Sequence, residues 1–183
     1  MIQNTHKSAD LIAIHNLVVK GKALAQNGME NKQLGEFLDA LEYFPALICW
    51  PDKTDKTDMF VRYLKSTCEE YNCTSIFTKY EQNIENLQNQ SWITLDEVVV
   101  RAIHDLLIQA RWYAFMGMNP PEKTLDDFFT AILQVTSIVI SPTKEKGYLF
   151  DEQLKETCQN FNCIHFYDKY LARLGKSEDT QKH

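Results

Sequence analysis

The chain has 183 residues and a net charge of −6. Its lysines and arginines form no basic run, which argues against nucleic-acid binding, because proteins that bind nucleic acids cluster cations against phosphates. The longest apolar runs, such as 44–50, are much shorter than a membrane span, and the first residues lack the apolar segment of a signal peptide.

The first predicted helix begins at Ser8 and ends at Asn27-Gly28. Its apolar residues recur at helical spacing, Ser8 and Asp10 suit a first turn, and glycine is a common helix stop. A second sequence of the same pattern begins at Thr94-x-x-Glu97, which is a capping-box motif, and ends at Gly117. These two segments align, so we expect paired helices.

The next pair of helices is predicted to start near Asn31 and near Thr124, where Thr124-x-x-Asp127 again has the pattern of a cap. Apolar residues form one face of each helix. Pro45 is expected to kink or interrupt the first of them. The β-branched run 136–140 is predicted to be helical, because the segment that aligns with it has a helical pattern.

Loops are predicted at 50–58 and at 141–147, and each is followed by a third helix. The third helices are expected to end at Asn72 and Asn162, since asparagine tolerates the left-handed conformation found at helix ends. Fourth helices are predicted over 73–87 and 163–174. Residues 88–92 are expected to link the halves, and 175–183 to form a frayed polar tail.

A long sequence echo relates the two halves of the chain. The segment LKSTCEEYNC at 64–73 returns as LKETCQNFNC at 154–163, and the His15 and Gly28 segments return around His104 and Gly117. The sequence therefore predicts an all-α protein, built by tandem duplication of a roughly four-helix unit, with repeats at 1–88 and 89–183. Because a unit of this size is marginal alone, we expect one compact body with internal pseudo-twofold symmetry.

The five cysteines, an odd number without a secretion signal, indicate reduced thiols in a cytoplasmic protein. The five-residue step within the pairs Cys68/Cys73 and Cys158/Cys163 is a poor match to zinc sites, so these residues are interpreted as small core residues. The chain has no P-loop, dinucleotide fingerprint or G-x-S-x-G motif. No cofactor, metal or catalytic residue is predicted, and a non-enzymatic protein is favoured.

His15 and His104 hold equivalent places on the two first helices. Under pseudo-twofold symmetry they would meet near the axis and form a ligand site. The alternative is that each imidazole borders the core and makes a structural hydrogen bond. No third ligand at a recognisable spacing accompanies them, so the sequence does not predict a metal.

Unmatched side chains give the best indication of a binding surface. Trp112, Tyr113 and Phe115 stand where the first half has small, aliphatic or amide residues, so they either fill the seam between repeats or form an exposed recognition patch. The predicted partner contacts combine two of these aromatics with carboxylates of the second helices: Trp112, Phe115, Glu36, Asp39, Glu42, Asp126 and Asp127.

These features favour a helical protein–protein interaction protein. Its sharpest form is an inhibitor or immunity-type protein that sequesters a basic partner such as a bacterial toxin domain, since acidic side chains speed encounter and buried aromatics slow release. One alternative is a structural or assembly module whose halves mimic a homodimer. Another is a small-molecule or metal-binding protein that uses the cleft between repeats. No nucleic-acid or membrane partner is expected.

Overall fold

A computed structural model of the protein describes residues 2–49, 57–87, 96–141 and 146–180, and side chains over 8–49, 58–86, 96–141 and 146–175. All the regular secondary structure in these ranges is helical, which confirms the predicted all-α class. The eight described helices are α1 (Ile2–Gln26), α2 (Asn31–Cys49), α3 (Thr57–Glu70), α4 (Thr74–Leu87), α5 (Glu97–Met116), α6 (Leu125–Ile140), α7 (Lys146–Asn160) and α8 (Ile164–Thr180). None of them is both long and apolar enough to cross a membrane.

A central four-helix bundle is made from both halves of the chain. Helix α1 packs on α2 and α6, and α5 packs on α2 and α6, so that α1 and α5 occupy opposite corners. The pairs α2–α5 and α1–α6 have the most extensive contacts in the described molecule. The outer helices α3 and α4 cover α2 and α1, while α7 and α8 cover α6 and α5. The largest packed surfaces therefore join one half to the other.

Helices α2 and α5 run antiparallel. At one end, Arg101 donates to the carbonyl of Cys49 at 3.3 Å and so satisfies a backbone acceptor at the end of α2. At the other end, the ring of Phe115 lies directly over Gly35, where an added Cβ would be 2.5 Å from Cζ of the ring. The missing side chain of Gly35 therefore makes room for Phe115.

Helices α1 and α6 approach closely at Gly21. A Cβ at this position would lie 2.7 Å from the Phe129 ring and 2.9 Å from the Phe37 ring. Both rings are fully buried in the common core. Close-packed interiors cannot absorb an extra methyl group at such distances without moving their neighbours.

The helical corners after α3 and α7 have the same backbone geometry. Asn72 and Asn162 adopt φ of 51° and 52°, as expected from the tolerance of asparagine for this conformation. The amides of Cys73 and Cys163 donate to the carbonyls of Cys68 and Cys158, at 2.8 Å and 2.9 Å. All five cysteines are buried free thiols, which confirms their prediction as core residues. Burial raises the pKa of Cys49 to about 12, so it is protonated at neutral pH.

Several predicted helix ends were wrong. Helix α1 begins at Ile2 rather than Ser8, and both Ser8 and Asp10 are buried. Asp10 accepts a hydrogen bond from the buried Tyr80 hydroxyl at 2.9 Å, so tertiary contacts rather than the helix dipole account for its position. The cap of α5 is Asp96, whose side chain accepts from the Val98 amide. Thr94 lies outside the described residues.

Pro45 does not interrupt α2, which continues to Cys49. The residues on both sides of it, Phe44 and Leu47 among them, are buried in the core, and this packing compensates for the lost backbone hydrogen bond. Helix α8 extends to Thr180, through part of the segment predicted as a frayed tail. The capping box of α6 at Thr124 and Asp127 and the helical state of 136–140 are confirmed. The predicted link at 88–92 lies outside the described residues, as does most of the predicted loop at 50–58.

Candidate functional site: the exposed face of α2

The most distinctive surface of the described molecule follows the exposed side of α2. Helix α5 borders this surface on one side and α3 borders it on the other. We call it the α2 face and define it by three sets of residues: Glu36, Asp39 and Tyr43 on α2; Trp112, Phe115 and Met116 on α5; and Tyr63 and Glu70 on α3, with Tyr71 directly after it. It brings together five of the seven predicted partner contacts, if Glu42 at its edge is included.

Three large apolar side chains are exposed at the C-terminal end of α5. The exposed fractions are 59% for Trp112, 51% for Phe115 and 68% for Met116. Phe115 and Met116 lie three and four residues after Trp112, so each of them neighbours Trp112 on the surface of the helix. Tyr113 belongs to the core instead, and its hydroxyl donates to the carbonyl of Phe161 at the α7–α8 corner. Trp112 and Phe115 are thus exposed, whereas Tyr113 is buried against Phe128 and Phe161 of its own half rather than in a seam between the repeats.

Arg111 joins the aromatic end of the α2 face to its carboxylates. Its guanidinium forms ion pairs with Asp39 and with Glu42, where the N–O distance is 3.1 Å. Glu42 is partly buried, and burial raises its pKa more than the nearby Arg111 lowers it. The side chain of Asp39 remains 64% exposed. Glu42 therefore helps to attach α2 to α5, whereas Asp39 is still open to solvent.

The charges of the carboxylates act on the hydroxyl groups of two tyrosines, Tyr63 on α3 and Tyr71 directly after it. Burial and then the charges of Glu70 and Glu36 raise the pKa of Tyr71. Burial and then the charge of Asp39 raise the pKa of Tyr63. Negative charge close to a phenol disfavours the phenolate, so these shifts show that carboxylates from α2 and α3 act on the same small region.

Beside these carboxylates is a shallow cleft between α2 and α3 of about 400 Å³, lined by Tyr43, Met59, Arg62, Tyr63 and Ser66. The rings of Tyr43 and Tyr63 meet edge to face with their centroids 4.9 Å apart. Aromatic rings at a surface provide rigid contact area at low entropic cost. The cleft and the end of α5 thus supply apolar contacts on both sides of the charged strip.

The positions that align with the α2 face lie on α1, on α6, and on or directly after α7. They form a face of different chemistry, which we call the α6 face. Ala23 and Gln26 stand where α5 has Trp112 and Phe115. Along α6 and α7, the aligned residues are Asp127, Thr130, Gln134, Gln153, Asn160 and Phe161. Gln153 donates to Gln134 at 3.2 Å, in the place of the Tyr43–Tyr63 ring contact. The α6 face is therefore polar and has few charges.

Asp126 and Asp127, also predicted as partner contacts, have local roles at the start of α6. The Asp127 carboxylate accepts from the Thr124 amide at 2.8 Å and completes the capping box. These hydrogen bonds lower its pKa. Asp126 is partly buried, and its backbone carbonyl accepts from the hydroxyl of Thr130. The α2 face therefore does not include Asp126 or Asp127.

His15 is held between α1 and α6. Nδ1 of His15 and the hydroxyl oxygen of Thr136 are hydrogen-bonded at 2.7 Å, and the same hydroxyl lies 3.0 Å from the carbonyl oxygen of Ile132. Burial lowers the pKa of His15 and keeps the imidazole neutral at pH 7. These contacts favour the structural alternative for His15.

His104 occupies the aligned position on α5, where burial again lowers the pKa of the imidazole. The residue that aligns with Thr136 is Pro45, which has no side-chain hydroxyl. Within the described ranges, no group of three or more His, Cys, Asp or Glu side chains has the arrangement to hold a metal ion. The shared ligand site of His15 and His104 remains a prediction.

Sequence reasoning did not select Glu70 or Tyr71, and it missed four further features of the α2 face: Tyr43, Tyr63, Met116 and the space above Gly35. The same signal that identified Trp112 was present for these four. Tyr43 and Tyr63 align with glutamines, and Gly35 aligns with an aspartate. Comparing every surface position of the two halves, rather than the aromatic run alone, would have found them.

Comparison of the chain with protein-family models, with curated proteins and with solved structures finds no match.

Proposed function

We propose that this chain is a non-enzymatic protein–protein interaction protein and that the α2 face is its binding surface. The observation that carries this proposal is the exposure of Trp112, Phe115 and Met116 side by side on a packed helix. Large exposed aromatics next to charged residues are typical of interaction hot spots. The α6 face supports the same reading, because helices in the same arrangement pack there without these side chains.

The proposal includes the origin of the two faces in a tandem duplication with pseudo-twofold symmetry. Three pairs of measurements support it. The α2–α5 and α1–α6 contacts are equivalent, because each joins the second helix of one half to the first helix of the other. The Phe37–Tyr71 and Phe128–Phe161 centroid distances are 4.9 Å and 4.7 Å. The two cysteine corners have matching hydrogen bonds.

Within this class we favour an inhibitor or immunity-type protein that binds a basic partner, such as a bacterial toxin domain, in the cytoplasm. An inhibitor of this kind needs a complementary surface and no catalytic group. The net charge of −6 and the carboxylates of the α2 face support this version.

The experiment compares capture of partners by the wild-type chain and by a Trp112→Ala/Phe115→Ala double variant. Immobilised protein is incubated with extract of the source cells, and bound proteins are quantified by mass spectrometry. We expect a stoichiometric partner that the double variant loses at least tenfold, because both substitutions remove contact area at the centre of the face.

A Tyr148→Ala/Leu171→Ala double variant is the matched control. Both of these residues are exposed apolar side chains of α7 and α8, away from the α2 face. This variant is expected to retain the partner. Equal loss of the partner in both double variants would contradict the proposed face. If the immobilised chain captures only further copies of itself, the assembly module is favoured.

A further inference from the structure

We infer that the partner of the α2 face is a polypeptide segment that presents a lysine or arginine next to a bulky apolar side chain. This inference rests on the proposed function and adds the chemistry of the partner. In this arrangement the cation lies against Glu36, Asp39 and Glu70, and the apolar side chain covers Trp112 and Phe115.

The first argument is charge complementarity. Glu36 and Glu70 are exposed, and Asp39 keeps most of its side chain in solvent although it is paired with Arg111. Within the described residues neither Glu36 nor Glu70 forms an ion pair, so this strip stays negative although Arg111 pairs with Asp39 and Arg62 lines the neighbouring cleft. A cation from a partner gains from such a surface, whereas an acidic segment is repelled.

The second argument is the position of the tyrosines. Tyr63 and Tyr71 lie close enough to these carboxylates for the charges to act on their hydroxyls. An aromatic face beside a carboxylate attracts a cation in two ways, through its quadrupole and through the neighbouring charge. Arginine is especially suited, because its planar guanidinium stacks on rings and pairs with carboxylates.

The third argument concerns the apolar neighbour. Phe115 lies over Gly35, one residue from Glu36 in the sequence, so the aromatic end of α5 and the acidic strip are adjacent. A partner that covers the rings therefore has its flanking residues next to the carboxylates. The aligned α6 face has Thr130 and Asn160 in place of Asp39 and Glu70, and it lacks this combination.

The test uses a displayed library of random 12-residue peptides. The library is selected on the wild-type chain after depletion on the Trp112→Ala/Phe115→Ala variant, so that peptides bound elsewhere are removed. We expect the enriched peptides to carry lysine or arginine within a few positions of an aromatic or aliphatic residue. Enrichment of acidic or uncharged peptides would overturn the inference, and so would the absence of any enrichment.

The affinity of an enriched peptide is then measured by fluorescence anisotropy with two charge variants. Glu36→Gln/Glu70→Gln is expected to weaken binding about tenfold, since each exposed ion pair contributes up to ~1 kcal/mol. Glu81→Gln/Glu85→Gln makes the same change in net charge at exposed positions of α4 and is expected to bind as the wild type does.

Equal affinities for both charge variants would overturn the basic partner. The proposed face would survive that result if the Trp112→Ala/Phe115→Ala variant still lost its cellular partner. If that variant kept its partner, the proposed face would fall as well. The two failures are thus distinguishable.

Discussion

The α2 face and the α6 face are built on helices that pack in the same order, yet they present different side chains. One presents Trp112, Phe115 and three tyrosines among carboxylates, and the other presents alanine, glutamine, threonine and one carboxylate, Asp127. The aligned ring pairs Phe37–Tyr71 and Phe128–Phe161 have similar centroid distances. The fold therefore constrains the core, and it does not require the exposed aromatics of the α2 face.

The largest expected change in the free energy of unfolding comes from an ion pair of the second half that has no equivalent at the aligned positions of the first half. Arg173 donates to the buried carboxylate of Asp105 at 2.7 Å, whereas the aligned residues are Asn83 and Asn16. We expect Arg173→Leu to lower the free energy of unfolding by about 3 kcal/mol, because it leaves a buried charge unpaired. Asn83→Leu is the control and should cost less than about 1 kcal/mol. Similar losses for both variants in urea titrations would contradict this difference.

Two glycines that face aromatic rings should respond differently to a methyl group. Gly21→Ala is expected to destabilise the protein by about 1–3 kcal/mol, because the buried rings of Phe129 and Phe37 cannot move away. Gly35→Ala should change stability by less than about 1 kcal/mol, since the half-exposed Phe115 can rotate outward and alanine favours a helix. Its effect should be on partner capture, which we expect to fall. Equal shifts in melting temperature for the two variants would show that burial of the facing ring does not determine how much the added methyl group destabilises the protein.

The α2 face can be converted towards the α6 face by Tyr43→Gln/Tyr63→Gln. We expect a loss of about 1 kcal/mol in stability, because an edge-to-face ring pair is replaced by an amide pair. Partner capture should decrease several-fold. The reciprocal variant Gln134→Tyr/Gln153→Tyr should leave capture unchanged, and a loss of capture in it would indicate that the partner contacts both faces.

The smallest expected effect is the pH dependence of stability from His15. Burial lowers the pKa of His15, so the unfolded chain takes up a proton near pH 6.5 and the folded protein does so only at lower pH. The stability from this group is complete above about pH 6.5 and is lost as the pH falls towards the lowered pKa. Denaturation between pH 7.5 and 5 should therefore show a smaller loss for His15→Gln than for the wild type. The same pH dependence of stability in His15→Gln and in the wild type would contradict a lowered pKa for His15.

Helical periodicity and the sequence echo were enough to predict the all-α class and most of the elements. Helix ends were less predictable, because Ser8 and Asp10 look like capping residues in sequence and are instead buried by long-range contacts. The interruption predicted at Pro45 was wrong for the same reason, since tertiary packing on both sides outweighs a local helix breaker.

The candidate site was only partly predictable. Trp112, Phe115, Glu36 and Asp39 were identified from mismatch and charge, but Asp126 and Asp127 were grouped with them although Asp127 caps its own helix. That Arg111 would join Asp39 and Glu42 depends on which helices become neighbours. Sequence spacing gives the side of a helix on which a residue lies, and it does not give the helix that will pack there.

The exchange of packing partners between the halves affects how this molecule can evolve. Since α2 rests on α5 and α1 rests on α6, a substitution inside the bundle must be accommodated by both halves at once. A substitution on the outer side of α2 or α6 meets no such demand. The exposed side chains of one face can therefore change while those of the other face and the shared interior stay the same.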